Sequence, residues 1–303
     1  MKRIFMILAL LLIITGCDTK VEQKKDIEEV TDPVIEDEIV YPSGYVEYDH
    51  NGVERKYILY VPVNVVEDAP IVFLLHGYTG LASMMNLATK MNDVADEFGF
   101  VVVYPQGLIA NRVTHWNADL DLSENDDIGF IVELAGFLHT EYGFSDENVF
   151  SSGFSNGGFM SYTLACKAST SFKAIASMSG VMSGETWDSC DPIEPVPVLH
   201  IHGTSDGVVP IDGSMSEYGG WGGAPDLDTI IEFWKSENNV SLNTTIIASE
   251  LVVGVKTISL LNNNQVWYYK IEGFGHGWPN DSSNEIGLNA SELIWEFFTE
   301  FIE

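Results

Sequence analysis

Residues 153–157 read Gly153, Phe154, Ser155, Asn156, Gly157, between a strand-like run from Asn148 to Ser152 and a helix-like run that begins at Gly157. A serine with glycine two residues away on either side, at a strand-to-helix junction, is the pattern of a nucleophile elbow. The turn is so tight that Cβ atoms at the two flanking positions would collide, so both must be glycine. The serine hydroxyl is lifted out of the backbone. The first turn of the helix aims unpaired amides and its positive dipole end at whatever that hydroxyl attacks.

Five residues are a loose pattern, and order along the chain sharpens it. An α/β-hydrolase needs a nucleophile, then an acid, then a histidine, each on a loop after a strand. The strand-like run Pro197 to Gly203 is followed at once by Thr204, Ser205 and Asp206, which places Asp206 at a strand's carboxyl end, where open α/β sheets gather their functional groups. The competing reading is a turn aspartate beside Gly207. Further on, Val266 to Ile271 alternate as a strand and lead into Glu272, Gly273, Phe274, Gly275, His276, Gly277, Trp278, Pro279. His276, among glycines, is expected to be the general base, with Asp206 fixing its tautomer. The oxyanion amides are expected to be those of Asn156, directly after the nucleophile, and of Tyr78, in the loop after Ile71 to Leu75. The Tyr78 ring is also a candidate wall of the acyl pocket, with plain packing as the alternative. His76, His200 and His202 read as structural. No pair has zinc-ligand spacing with a further Cys or His nearby, so neither a metal nor a cofactor is expected.

The rest of the chain fits the same scheme. Gly44 to Pro62 reads as an antiparallel hairpin turning at Asn51 and Gly52. Strands are expected at Ile71 to Leu75, Phe100 to Tyr104, Asn148 to Ser152, Ala174 to Met178, Val198 to Ile201 and Val266 to Ile271. Helices are expected at Ser83 to Glu97, Ile128 to Tyr142, Gly157 to Lys167, Asp226 to Asn238 and Ala290 to Phe301. Repeated strand-helix-strand units imply an α/β fold with a mostly parallel sheet and helices on both faces. Residues 211–224 fit less well. They include Gly219, Gly220, Trp221, Gly222 and Gly223, a loop displaying an aromatic that either borders the substrate groove or is a surface excursion. Trp278, two residues from His276, reads as the better wall.

With these pieces placed, the chain from about Tyr45 onward resembles the secreted polyhydroxybutyrate depolymerase and feruloyl esterase group within carbohydrate esterase family one. The matching blocks are Arg55 to Pro62 (RKYILYVP), Val72 to Gly77 (VFLLHG), Val103 to Gly107 (VYPQG), Asp126 to Phe130 (DDIGF), Val149 to Met160 (VFSSGFSNGGFM), Val198 to Pro210 (VLHIHGTSDGVVP) and Gly275 to Pro279 (GHGWP). The resemblance implies an exported serine esterase with Ser155, Asp206 and His276 as its triad. Its substrate would be feruloyl or acetyl esters of polysaccharide, or hydroxyalkanoate polyesters. Asp126 and Asp127 open a helix and read as structural, although Asp127 is a rival acid if it lies near the site. Gly277 stands where relatives often have threonine, and the chain has no cysteine around the segment Glu237 to Val240, where many relatives carry an additional cysteine pair. Acyl transfer to a sugar or lipid, peptidase action and a non-catalytic binding role are the other readings.

At 303 residues and 46% hydrophobic content, residues 44–303 can form one large α/β domain. A formal net charge of −31 repels nucleic acid and anionic lipid headgroups. Met1, Lys2 and Arg3 precede an apolar run from Ile4 to Ile14, far short of the roughly 20 residues that span a bilayer. Residues 1–16 therefore read as a secretory signal. Ile14, Thr15, Gly16, Cys17 resembles a bacterial lipobox, which implies an acylated Cys17 as a membrane anchor. The acidic, proline-containing stretch 17–43 then reads as a tether. Cys166 and Cys190 remain, and in an exported domain an even pair reads as a disulfide, against the alternative of two buried thiols.

Overall fold

The apolar runs sort by parity. Ile71, Phe73, Leu75, Val101 and Val103 belong to one buried cluster, while Val72, Leu74, Val102 and Tyr104 belong to another. Successive side chains of a strand point to opposite faces, so strands buried on both sides must lie at the centre of a covered sheet. The computed structural model describes residues 39–280 and 286–302. The expected signal, Cys17 and all of the tether except residues 39–43 lie outside the described residues.

In chain order the elements are β1 (Tyr45–His50), β2 (Val53–Tyr60), β3 (Ile71–Leu75), α1 (Ala82–Thr89), α2 (Met91–Phe98), β4 (Val101–Gln106), β5 (Ile109–Ala110), β6 (Val113–Thr114), α3 (Asp127–Tyr142), β7 (Val149–Phe154), α4 (Asn156–Lys167), β8 (Ala174–Met178), α5 (Gly184–Ser189), β9 (Val198–Gly203), α6 (Leu227–Glu237), β10 (Leu242–Ile247), β11 (Val252–Ile258), β12 (Gln265–Ile271) and α7 (Ala290–Thr299). A ten-stranded sheet runs β1-β2-β4-β3-β7-β8-β9-β12-β11-β10. From β4 to β12 every neighbouring pair is parallel. Antiparallel pairs close both edges. Helices α3, α4 and α6 cover one face, and α1, α2 and α7 the other. This is the expected α/β-hydrolase architecture with its N-terminal hairpin.

Local chemistry accounts for most boundaries. Asn51 and Gly52 both have positive φ, 53° and 82°, the turn that matches strand twist in a two-residue hairpin. Asp126 caps α3 by accepting from Gly129 N at 2.8 Å, and Asp226 caps α6 by accepting from Thr229 N at 3.0 Å. On the α7 face, Phe100 stacks on Trp295 at 3.9 Å and Phe150 on Phe298 at 4.5 Å. Such pairs each contribute about 0.5–1.5 kcal/mol beyond the area they bury.

Two expectations change. The single helix from Ser83 to Glu97 is two helices, because Lys90 adopts the left-handed conformation (φ 55°) as the C-cap of α1. The Thr89 hydroxyl donates to Met85 O and accepts from Met91 N, which diverts the backbone there. The β10–β11 pair was also unforeseen. In β10 the side chains are mostly exposed, so the apolar alternation that marks a half-buried strand is missing from LNTTII.

Candidate active site

At the end of β7 the chain turns into α4 through Ser155, whose φ of 55° and ψ of −121° are rare for a residue with a side chain. Such a conformation costs on the order of 1–3 kcal/mol and persists only where the surroundings hold it. Here Ser155 N donates to Met178 O at 2.9 Å, and Ser155 O accepts from Gly158 N and Phe159 N at 2.7 and 3.0 Å. The two glycines are sterically required, each for its own reason. A Cβ on Gly153 would lie 2.3 Å from Gly157 C, and a Cβ on Gly157 would lie 2.2 Å from Leu75 O on β3. Among the described residues Ser155 Oγ has no hydrogen-bond partner, and the residue lines a pocket.

Asp206 follows β9 and His276 follows β12, neighbouring parallel strands. Their loops are laced together: Thr204 N donates to Ile271 O, Ser205 N to Phe274 O and Gly273 N to Thr204 Oγ1, all at 2.9 Å. His276 Nδ1 then donates to Asp206 Oδ2 at 2.7 Å. The amides of Val208 and Val209 donate to Oδ1 at 2.9 and 2.8 Å. Burial of Asp206 opposes ionisation, but hydrogen bonds from His202 and His276 and from these amides outweigh it and hold the carboxyl far below the usual range. A fixed carboxylate on Nδ1 leaves His276 Nε2 as the free basic nitrogen.

The amides of Tyr78 and Asn156 donate to no other described residue. A residue that sequence reasoning missed, Trp116, ties their two segments together. Trp116 N donates to Asn156 Oδ1 at 2.7 Å, Asn156 Nδ2 donates to Trp116 O at 3.1 Å, and Trp116 Nε1 donates to His76 O at 2.9 Å. Trp116 lies outside every helix and strand, so no periodicity marked it. His76 is a buried rivet between the ends of β3 and β4. Its Nδ1 donates to Gly77 O at 2.8 Å, and its Nε2 accepts from Gln106 Nε2 and Gly107 N, both at 2.9 Å. Burial pushes it down to about 4, so it is neutral at ordinary pH. Asp127 is not a second acid on His276. Its carboxylate pairs with buried Arg55 at 2.5 Å and accepts from Asn117 N at 2.7 Å.

The pocket encloses about 530 Å³, and Tyr78, Ser155, Val208, Met215, Trp221 and His276 are among its lining residues. Trp221 and Tyr78 meet edge-on at 5.2 Å. Trp278, expected as the better wall, is absent from the lining. Its indole N–H donates to Ser291 Oγ at 3.2 Å and its ring packs on the α7 core. The chain bends at His276 and Gly277, which turns the Trp278 side chain away from the pocket, so nearness to His276 in sequence did not place it there. Cys166, near the end of α4, is disulfide-bonded to Cys190, just after α5. Among the described residues no cluster of His, Cys, Asp or Glu side chains is arranged to hold a metal ion. No helix among them is long and apolar enough to cross a membrane.

A family profile described as esterase PHB depolymerase matches residues 55–241. The probable feruloyl esterase C of Aspergillus terreus is 31% identical over 263 residues, which cover 82% of this chain and 87% of that protein. The bifunctional acetylxylan esterase/xylanase XynS20E of Neocallimastix patriciarum is 26% identical over 254 residues. That match covers 82% of this chain, but the chain spans only 34% of that relative's length. Among solved structures, the acetyl xylan esterase from Aspergillus awamori superposes with a TM-score of 0.64 at 16% identity, covering 85% of this chain and 100% of that one. At that identity the likeness is one of fold.

Proposed function

The chain belongs to the esterase PHB depolymerase family, and from that premise we propose that it is an exported serine esterase that hydrolyses carboxylic esters through an acyl-enzyme. The observation that carries the reading is the 2.7 Å contact of His276 Nδ1 with Asp206 Oδ2 in the pocket that Ser155 lines. Ser155 Oγ attacks the ester carbonyl while His276 Nε2 takes its proton. The developing oxyanion is received by the amides of Tyr78 and Asn156. The imidazolium, stabilised by Asp206, protonates the leaving alcohol, and water then repeats the sequence on the acyl-enzyme. The Ser155–His276 hydrogen bond forms when substrate fills the pocket, since catalytic contacts are often long until substrate binds.

The lining includes no carboxylate, lysine or arginine, in a chain of net charge −31. Together with the edge-on Tyr78–Trp221 pair, this favours an uncharged acyl group with an apolar or aromatic body. Feruloyl esters of polysaccharide fit that description best, with acetyl esters and hydroxyalkanoate polyesters as the other members of the class. The N-terminal signal pattern and Cys17 support export and a lipid anchor on the acidic tether. One panel tests the reading: wild type and Ser155→Ala on p-nitrophenyl acetate, methyl ferulate, acetylated xylan and a hydroxybutyrate oligomer. Ser155→Ala should lose activity by roughly 10⁴-fold or more on every ester that the wild type cleaves. Full activity in that variant would falsify the mechanism.

A further inference from the structure

Two imidazoles approach the Asp206 carboxylate, and the mechanism above uses one of them. His202 Nε2 lies 3.2 Å from Asp206 Oδ2, the oxygen that His276 also contacts, and 2.9 Å from Val209 O. Two acceptors at one nitrogen require His202 to carry a proton there. Its Nδ1 is 2.9 Å from His200 Nε2, and His200 Nδ1 is 2.7 Å from the Tyr162 hydroxyl. All three side chains are buried. Burial, and then the neighbouring His202, holds His200 neutral, while burial holds Tyr162 as the phenol.

A neutral His200 has one N–H. With the Tyr162 phenol donating to Nδ1, that proton sits on Nε2 and donates to His202 Nδ1. Every donor then points the same way: Tyr162 to His200, His200 to His202, and His202 to the turn that bears Asp206. The reverse direction requires an extra proton on His202 and leaves the phenol hydrogen without an acceptor among the described residues. The surrounding elements add few charges. On β12, Tyr268 meets His200 edge-on at 5.8 Å and is held as the phenol by burial, then by the charges of Asp228 and Asp226. Lys270, opposite His202 in register, pairs with Asp228 of α6 at 3.0 Å. On β8, Ser177 stands opposite His200.

We propose that His202 is a positioning residue for Asp206, locked in its donor tautomer by His200 and Tyr162. The proposal rests on the triad reading above. Its first effect is geometric, since one N–H fixes both the carboxylate and the Val209 carbonyl of the same turn. Its second is electrostatic. A further donor on Oδ2 spreads the carboxylate's charge, so His202 tempers the pull that Asp206 exerts on the His276 N–H.

The experiment is the pH profile of kcat/KM on p-nitrophenyl acetate for wild type, His202→Leu, His202→Gln and Tyr162→Phe, with Tm recorded for each. In His202→Leu the acid limb should rise by about 0.5–1 pH unit and kcat should fall roughly tenfold, with KM within about twofold. His202→Gln keeps an N–H donor and should recover most of both. Tyr162→Phe should move the limb the same way by less. Acid limbs of His202→Leu and Tyr162→Phe that coincide with wild type while Tm falls would make the chain structural only and overturn the proposal. If His202→Leu fails to fold, the Tyr162→Phe limb decides alone. Ser155→Ala is assayed alongside: activity there sinks the triad reading, whereas an inactive Ser155→Ala with unmoved limbs sinks only this inference.

Discussion

Ser155 and Trp221 line the same pocket, yet the segments that carry them are fixed in different ways. The elbow is set by backbone atoms in contact: glycines whose Cβ positions are occupied at 2.2 and 2.3 Å, and three hydrogen bonds on the backbone of Ser155 alone. The loop bearing Trp221 takes positive φ at Gly213, Gly219, Gly220, Gly222 and Gly223. Its anchors come from elsewhere in the sequence: Gly184 N donates to Gly223 O at 3.1 Å, and the rings of Tyr78 and Phe159 meet Trp221 at 5.2 and 6.1 Å. Reacting atoms are thus held by packing that cannot relax, and the wall by contacts that can be exchanged. One fold can then keep its chemistry while the wall changes with the ester.

The severest challenge to this contrast is Gly157→Ala. The new methyl meets a backbone carbonyl of a central strand, so relief requires the start of α4 to move away from β3. We expect a loss of more than about 3 kcal/mol in denaturant unfolding, with activity abolished. Alanine tolerated there within about 0.5 kcal/mol would show that the elbow has slack and would erase the distinction. Next in size is the Cys166→Ala/Cys190→Ala pair. The disulfide joins α4, which starts at the elbow, to the end of α5, whose first residue holds the wall loop. Opening this closure, of sequence separation 24, should cost about 3 kcal/mol on the chain-entropy account. If elbow and wall are held independently, KM should change more than kcat; an equal loss in both would couple them.

What could be read in advance follows the same division. The elbow was legible because its constraint spans five residues, and so were Asp206 and His276, each on a glycine-bearing loop after an apolar strand. The steric partner of Gly157 was not legible, because it is Leu75 on another strand. Trp278 and Trp221 show the limit most clearly. Closeness along the chain favoured Trp278, but side-chain direction sends it to Ser291, while the glycine-rich loop folds Trp221 back onto Tyr78. Trp116 and His202 act through contacts with residues of other segments, and composition carries no signal for that. The parallel strands were legible from their uninterrupted apolar runs; β10 was not, since an exposed edge relaxes the pattern.

Asp206 stands between the two regimes, held by hydrogen bonds in place of steric contact. Its carboxyl is depressed in the folded protein. It therefore contributes stability that is fully present above the ordinary carboxylate value, near about 4, and is lost as pH falls toward the lower folded value. Between about pH 5 and pH 2 the unfolding free energy of wild type should fall more steeply than that of Asp206→Asn, by up to one proton's worth of slope. Parallel pH curves for the two proteins would mean that the carboxylate's four contacts add nothing to folding.

The smallest expected effect tests the wall directly. Trp221→Ala removes an aromatic face from the pocket without touching the elbow, and the loop's backbone anchor at Gly223 does not use the indole. Against methyl ferulate we expect kcat/KM to fall about tenfold, the size of one lost aromatic contact. Against p-nitrophenyl acetate, whose acyl group has no aromatic body to pack on the ring, the change should stay within about twofold, with Tm nearly unmoved. Equal losses on both esters would mean that Trp221 supports the reacting atoms after all. An unchanged rate on both would place it outside the path of the acyl group and leave Tyr78 as the wall that discriminates.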